Sequence, residues 1–329
     1  MTQLLAGDIG GTKTLLRLSE LTPTGLATLR EASYPSAKFP HLSPIVRLFL
    51  SEAGRDTPPT AACFAIAGPV RDDRSLVTNL SWDLDARQME TELGIPQIRL
   101  INDFAAVGYG ILALGPDDVV VLQDRPAVPR APIAVLGAGT GLGEALLVLQ
   151  ENRYEVMATE GGHADFAPRT DLEVGLMSFL RERYGRVSVE RVVSGRGIYR
   201  IYEYLRSAGF APASAAVEEQ LQQEDPSAAI AAHALSNSDA LCTKALELFV
   251  AAYGAEAGNL ALKSLPYGGL YLAGGVGAKI LPKLQDGTFI ENFLDKGRMR
   301  SLLENLRVSL IINPKVGLLG ATLYAQKLI

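Results

Sequence analysis

Two glycine turns and a few carboxylates carry the chemistry that can be read from this chain. The first turn is Gly7-Asp8-Ile9-Gly10-Gly11-Thr12, set between the apolar run Leu4–Ala6 and a second β-rich run, Thr14–Leu18. Gly-Gly between two such runs predicts a hairpin whose tight turn uses positive φ. Gly10, Gly11 and Thr12 would present backbone N–H groups with little bulk above them, a concave nest that can hold phosphate oxygens. Asp8 is a carboxylate at the tip of an otherwise apolar strand. It could hold, through water, the Mg2+ that travels with a nucleotide, since Mg2+ favours one or two carboxylates with water and phosphate. The same residues also suit an ordinary hairpin with a solvated aspartate. A second turn, Gly137-Ala138-Gly139-Thr140-Gly141-Leu142-Gly143, offers a second nest. It is not a dinucleotide fingerprint, because position 142 is Leu, and no Gly-x-x-x-x-Gly-Lys-Ser/Thr occurs in the chain.

Asn102-Asp103 follows the apolar run Ile98–Ile101 and precedes a predicted helix from Phe104 to Leu114. A carboxylate in such a polar break suits a general base within reach of a bound hydroxyl. Its ordinary pKa of about 4 makes it a weak base. A loose phosphoryl-transfer transition state tolerates that, because proton transfer can come late. The alternative is that Asn102-Asp103 only caps the helix. Glu160-Gly161-Gly162-His163 pairs a carboxylate with an imidazole across two glycines that permit close backbone approach. Carboxylates accept and a neutral imidazole both gives and takes, which matches a ring of sugar hydroxyls. Alone, His163 reads as a satisfied structural histidine, and Glu190 could equally be an exposed helical glutamate. Arg191 and Arg196 suit phosphate ligands or else solvated or structural arginines, and Trp82 either stacks on a sugar or fills the core. Asn79 either touches the sugar or holds its loop.

The elements that must position these residues follow from the pattern. Leu26–Tyr34 predicts a third strand, residues 44–53 a helix ended by Gly54, and Ala61–Ala67 a buried strand. A short extended piece covers Leu76–Asn79, and Asp85 caps a helix to Leu93. The second half repeats the plan, with strands at Ile133–Leu136, Glu144–Leu149 and Tyr154–Thr159. This is a duplication of architecture rather than of letters. Asp171 is read as the cap of a helix to about Tyr184, and Val189 as the start of a short helix. Another helix follows Ser194-Gly195-Arg196-Gly197. Residues 212–233 read as solvated helices and Asn237–Leu265 as one long helix. A strand at Gly268–Ala273 meets Gly274-Gly275. A strand at Arg307–Ile312 and a helix at Val316–Lys327 close the chain.

Composition sets the outer bounds. The 329 residues are 48% hydrophobic and 20% charged, enough for two cored domains and against disorder. A net charge of −5, from 31 basic and 36 acidic side chains, argues against a nucleic-acid surface. Cys63 and Cys242 lie in separate apolar runs and read as buried thiols of a reducing compartment. No apolar run is long enough to span a bilayer and no signal peptide is seen, so no membrane partner and a cytoplasmic location are expected.

Taken together, Asp8-Ile9-Gly10-Gly11-Thr12 and Gly137-Ala138-Gly139-Thr140-Gly141 resemble the two phosphate loops of sugar kinases of the actin-like ATPase superfamily, most closely the bacterial glucokinases. The likeness runs from residue 3 to residue 325. Leu272-Ala273-Gly274-Gly275-Val276 resembles the family's adenosine loop, and Ile101-Asn102-Asp103-Phe104 its sugar motif with the catalytic Asp. Glu160–Phe166 resembles the second sugar loop, and Ser188-Val189-Glu190-Arg191 the third. Lys13 stands where many of these glucokinases carry Asn, a form closer to the related ROK kinases. No cysteine-rich zinc motif follows His163, and with two residues before the first strand a helix-turn-helix like that of ROK repressors is not expected.

The resemblance implies a two-domain α/β actin-like ATPase (ribonuclease H-like) fold with a duplicated βββαβα core and an interdomain cleft. Residues 1–113 with 314–329 would form the smaller domain, and 114–313 the larger. It implies phosphorylation of glucose at its 6-hydroxyl by MgATP, a glycolytic step, with Asp103 as base. Asn102, Asp103, Glu160, His163 and Glu190 would bind sugar. Gly7 to Thr12, Gly137, Gly139 to Gly141, Gly274 and Gly275 would bind ATP. It also implies a homodimer. A kinase of another hexose or N-acetyl hexosamine is the alternative within the reaction class. A sugar sensor or filament-forming ATPase is the alternative outside it.

Overall fold

Gln3–Ile9 forms strand β1, with Leu4, Leu5, Ala6 and Ile9 fully buried. The computed structural model describes residues 2–54, 57–77 and 80–329. Asn79 therefore lies outside the described residues. By its internal contacts the chain divides into two units, residues 1–117 with 313–329 and residues 118–312.

In the first unit β1 pairs antiparallel with β2 (Lys13–Thr22), and β2 with β3 (Gly25–Pro35). On its other side β1 runs parallel to β4 (Ala61–Ile66). A small hairpin of β5 (Arg74–Val77) and β6 (Trp82–Asp85) follows, and β7 (Ile98–Asn102) extends the sheet, giving the order β3-β2-β1-β4-β7. All six residues of β4 are buried, as its unbroken apolar run requires of a strand covered on both faces. Helices α1 (Leu42–Glu52), α2 (Ala86–Leu93) and α3 (Asp103–Ile111) join these strands. His41 caps α1, its ring accepting from the Ser43 N–H, and Asp85 caps α2, accepting from Arg87 and Gln88. Trp82 is core, 2% exposed, so it has no free face for a sugar.

The terminal helix, Val316–Gln326, packs on α3 with close backbone approach at two glycines and with the Tyr109 and Tyr324 rings meeting at 5.1 Å. A Cβ on Gly320 would fall on the Ala106 carbonyl, and one on Gly110 on that of Val316. Small residues at both crossing points are what allow this helix to reach β1, where Gly317 faces Asp8.

The second unit repeats the order. β9 (Ile133–Ala138), β10 (Leu142–Gln150) and β11 (Arg153–Thr159) are antiparallel neighbours. β12 (Gly269–Ala273) then runs parallel to β9, and β13 (Val308–Ile311) parallel to β12. The sequence reading missed the edge strand β8 (Val119–Gln123), which pairs antiparallel with β13. Its run of four apolar residues, Val119–Leu122, was the available signal.

Helices α4 (Asp171–Tyr184), α5 (Val189–Val192) and α6 (Gly195–Ser207) follow β11. Thr170, not Asp171, caps α4, since its hydroxyl accepts from the Glu173 N–H at 3.2 Å. The stretch 212–233 is not simply solvated. It forms helices at Ala215–Gln223 and Pro226–Leu235 whose Val217, Leu221, Ala229 and Ile230 are buried. The helix Ala240–Ser264 is apolar around its circumference and buried at its centre. Its Tyr253 hydroxyl donates to the Leu136 carbonyl on β9 at 3.3 Å. No helix among the described residues is long and apolar enough to cross a membrane.

Candidate active site

The first glycine turn is wider than the sequence implied. Ile9 pairs with Thr14, leaving residues 10–13 as the loop, closed by Gly10 N–H to the Lys13 carbonyl at 3.0 Å. Neither Gly10 nor Gly11 takes positive φ, because a four-residue loop does not need the primed two-residue turn. Ser36, which sequence reasoning overlooked, fixes the loop from behind. Its hydroxyl donates to the Gly10 carbonyl at 2.8 Å and contacts the Thr14 hydroxyl at 3.0 Å. Within the described residues the N–H groups of Gly11 and Thr12 make no hydrogen bond, so both remain available as donors. Gly7 is needed for space, since a Cβ there would fall 2.7 Å from the Phe64 ring.

Asp8 lies on β1 opposite Leu15 and beside Ala65 of β4. Burial raises its pKa above the usual carboxylate value, and the Lys13 charge pulls it partly back. No ion pair engages it among the described residues. A hard carboxylate oxygen with no cationic partner is the kind of donor Mg2+ takes.

Asn102 is the N-cap of α3. Its side-chain oxygen accepts from Phe104 and Ala105 N–H at 2.9 and 3.1 Å, and its amide donates to the Gly68 carbonyl at 3.1 Å. The cap duty thus falls on Asn102, and Asp103 is the first helical residue. Burial pushes the Asp103 carboxyl up to about 6, and the negative charge of Asp8 adds to the rise. The hydrogen bond from its neighbour's Phe104 N–H, 2.9 Å, acts in the opposite direction. A carboxylate titrating there is a far better proton acceptor than an exposed one.

The second turn is shorter. Leu142 pairs with Ala138, and Gly139 N–H donates to the Gly141 carbonyl at 2.8 Å. Thr140 and Gly141 keep N–H groups with no partner among the described residues. Three elements hold this turn. Gly195, at the start of α6, donates to the Gly139 carbonyl at 2.8 Å. Glu190, in the single turn of α5, accepts from the Leu142 N–H at 2.9 Å. Gly274, at φ 86°, lies so close to the Ala138 carbonyl that any Cβ would overlap it. Gly275 then begins a short helix, Gly275–Lys279.

The loop after β11 brings Glu160 and His163 together, with their side chains 3.9 Å apart and exposed. Its two glycines are sterically required. A Cβ on Gly161 would collide with the Glu144 carboxylate, and one on Gly162 with the Leu142 carbonyl. Glu144 was not singled out from sequence, where it reads as one polar residue in a strand. It is 4% exposed and its Oε1 has no hydrogen-bond partner among the described residues. Burial, then the charge of Glu256, pushes it up to about 7. Cys63 and Cys242 are free and buried, and burial raises both thiols.

Within the first unit the structure places Asp8 near enough to Asp103 to influence its titration. Within the second it gathers Glu190 onto the glycine turn and sets His163 and Glu190 on one cavity. A glucokinase family profile matches residues 5–328. The glucokinase of Nostoc punctiforme is 53% identical over 343 aligned positions, covering all of both chains. That of Synechocystis is 51% identical over 98% of each. Among solved structures, the glucokinase of an Antarctic psychrotroph has a TM-score of 0.88 at 30% identity, covering 99% of each chain. With a family profile, sequence identity and fold that match over its length, this chain belongs to the glucokinase family of the actin-like ATPase fold.

Proposed function

We propose that this glucokinase-family enzyme phosphorylates the 6-hydroxyl of glucose with Asp103 as general base. The observation that carries the assignment is the Asp103 carboxyl itself, partly buried at the start of α3 and raised to about 6. Near neutral pH it is mostly ionised yet basic enough to take a hydroxyl proton. The 6-oxygen then bonds to the terminal phosphorus of ATP, the bond from that phosphorus to the bridging oxygen breaks, and ADP leaves with the electron pair. The proton stays on Asp103 until solvent takes it.

The unengaged N–H groups of Gly11, Thr12, Thr140 and Gly141 suit phosphate oxygens, whose developing charge such donors stabilise. Gly274 and Gly275 suit the nucleoside end. Asp8 fits Mg2+ held through water, and Mg2+ there would neutralise charge on the transferring phosphoryl group. Glu160, His163 and Glu190 would pair with sugar hydroxyls, so an analogue lacking one would strand a polar group. The likeness to bacterial glucokinases also supports a cytoplasmic homodimer, which light scattering on the purified protein tests.

The test is a coupled assay with MgATP and a panel of hexoses and N-acetyl hexosamines, run on wild type and Asp103→Asn. Glucose should be the preferred acceptor, and the variant should bind it with near wild-type affinity while turning it over at least about 100-fold more slowly. Unchanged turnover in the variant would remove Asp103 from this role.

A further inference from the structure

No hydrogen bond or ion pair reaches the Asp8 carboxylate among the described residues, so packing sets where it points. One surface it packs on is the terminal helix. A Cβ on Gly317, the second residue of that helix, would lie 3.3 Å from Asp8 Oδ2 and 3.7 Å from its Cγ. The carboxylate therefore rests on bare backbone at the N-terminal end of the helix, where the dipole favours an anion. A single methyl group at position 317 would crowd it by a few tenths of an ångström.

That end of the helix is tied to the sheet. Lys315 stands just before the first helical residue, where the dipole disfavours a cation. Glu31 of β3 answers it, with Oε1 2.6 Å from Lys315 Nζ. The other oxygen, Oε2, accepts from Nε and Nη2 of Arg17 at 3.0 and 2.7 Å. Arg17 lies on β2 directly opposite Glu31, with Ala6 of β1 opposite it on the other side. The Arg17 and Glu31 side chains are 11% and 22% exposed, so the inner pair is largely shielded and its two bonds fix the carboxylate. Burial acts to raise the Glu31 pKa, but the bonds from Lys315 and Arg17 hold it below the ordinary value, so it is ionised near neutral pH. A chain of contacts thus runs from Arg17 through Glu31 and Lys315 to Gly317 and Asp8. A neighbouring pair on β3 leads elsewhere, since Arg30 meets Glu52 of α1 at 2.6 Å.

We propose that Glu31 and Gly317 are positioning residues for Asp8. The Arg17–Glu31–Lys315 chain fixes the first turn of the terminal helix, and Gly317 gives the Asp8 carboxylate the seat from which it holds a hydrated divalent cation. This role rests on the assignment of Asp8 to Mg2+. A partly exposed ion pair such as Lys315–Glu31 adds little to stability. Its effect is on placement, and Mg2+ registers small displacements because it demands near-octahedral geometry.

Binding of Mn2+, a probe for Mg2+, to the full-length protein with ADP tests this without turnover. It is read from the paramagnetic resonance signal of the free ion. Wild type is compared with Asp8→Asn, Gly317→Ala, Glu31→Gln, Lys315→Met and the double variant Glu31→Gln/Lys315→Met. Glu52→Gln, which breaks the Arg30 pair instead, is the structural control. Melting temperature and metal-free ADP affinity establish that each variant folds and binds nucleotide. Mn2+ affinity should fall about 10-fold in Asp8→Asn, about 5-fold in Gly317→Ala and about 3-fold in Glu31→Gln. Lys315→Met should match Glu31→Gln, and the double variant should be no weaker than either, because all three break one chain. Glu52→Gln should bind Mn2+ as wild type does. Ala is the better helix former, so Gly317→Ala should keep its melting temperature while losing metal affinity, which a merely structural glycine would not do. Glu31→Gln keeps the test open should Gly317→Ala not fold. Wild-type Mn2+ affinity in folded Gly317→Ala and Glu31→Gln, with Asp8→Asn still weakened, would overturn the positioning role alone. Wild-type affinity in Asp8→Asn as well would remove Asp8 from Mg2+ and this role with it.

Discussion

The two glycine turns hold equivalent places, each at the first hairpin of its sheet, yet they are built for different duties. The first carries its carboxylate within its own strand, as Asp8, and leaves it without an ion-pair partner among the described residues. The second has Gly137 at the matching place and borrows a carboxylate, Glu190, which is tied to the turn by the Leu142 N–H. Behind the first turn stands one hydroxyl, Ser36. The second is gripped by the start of α6, by α5 and by Gly274. The repeated plan thus gives two frames, each with two N–H groups unengaged among the described residues, and an acid without an ion-pair partner stands within the strand of the first. The lesson is that an anion nest is set by backbone, whereas its chemistry is set by what stands beside it.

Substitutions can break or sharpen that contrast. The largest effect is expected at Asp103, whose replacement by Asn should lower kcat by about 100-fold or more while glucose affinity stays near wild type. Asp8→Asn should leave the fold intact and raise the Mg2+ concentration for half-maximal rate by about 10-fold. It should also lower the pKa of Asp103, because a neighbouring negative charge is gone. The corresponding change in the second unit, Glu190→Gln, keeps an acceptor for Leu142. It should raise KM for glucose by about 5-fold with little change in Mg2+ dependence. A large shift in Mg2+ requirement there would mean that the two carboxylates share one duty.

Glu144→Gln should affect turnover least and stability most visibly. The folded carboxyl titrates near 7, above its ordinary 4.5, so between these values the folded state binds more protons than the unfolded one. Stability from this group is therefore present at low pH and declines as pH rises through about 7, by up to roughly 3 kcal/mol. Melting curves at pH 6 and pH 8 should differ less in the variant than in wild type. An unaltered pH dependence would place the proton on another group.

Much of the frame was legible because it rests on local rules. Apolar runs marked the buried strands β4 and β9, Asp85 and Gly94 marked the ends of α2, and two glycine clusters marked two hairpins. The misses were long-range. Thr170 rather than Asp171 caps α4, which depends on where the chain turns. The helices within 212–233 are half in the core because a central helix 25 residues long covers them. At the candidate site, Asp103 could be named from its position, but its raised pKa depends on burial and on Asp8, which no spacing reveals. Ser36 and Glu144 were invisible for the same reason, since each acts on a loop far from it in sequence.

The pH dependence of kcat/KM for glucose bears most directly on Asp103, measured at saturating MgATP across pH 4.5 to 9. The account predicts a rate that rises with pH and levels off above an apparent pKa near 6, with that rise absent in Asp103→Asn. A wild-type profile flat through pH 6, or the same rise surviving in the variant, would contradict it.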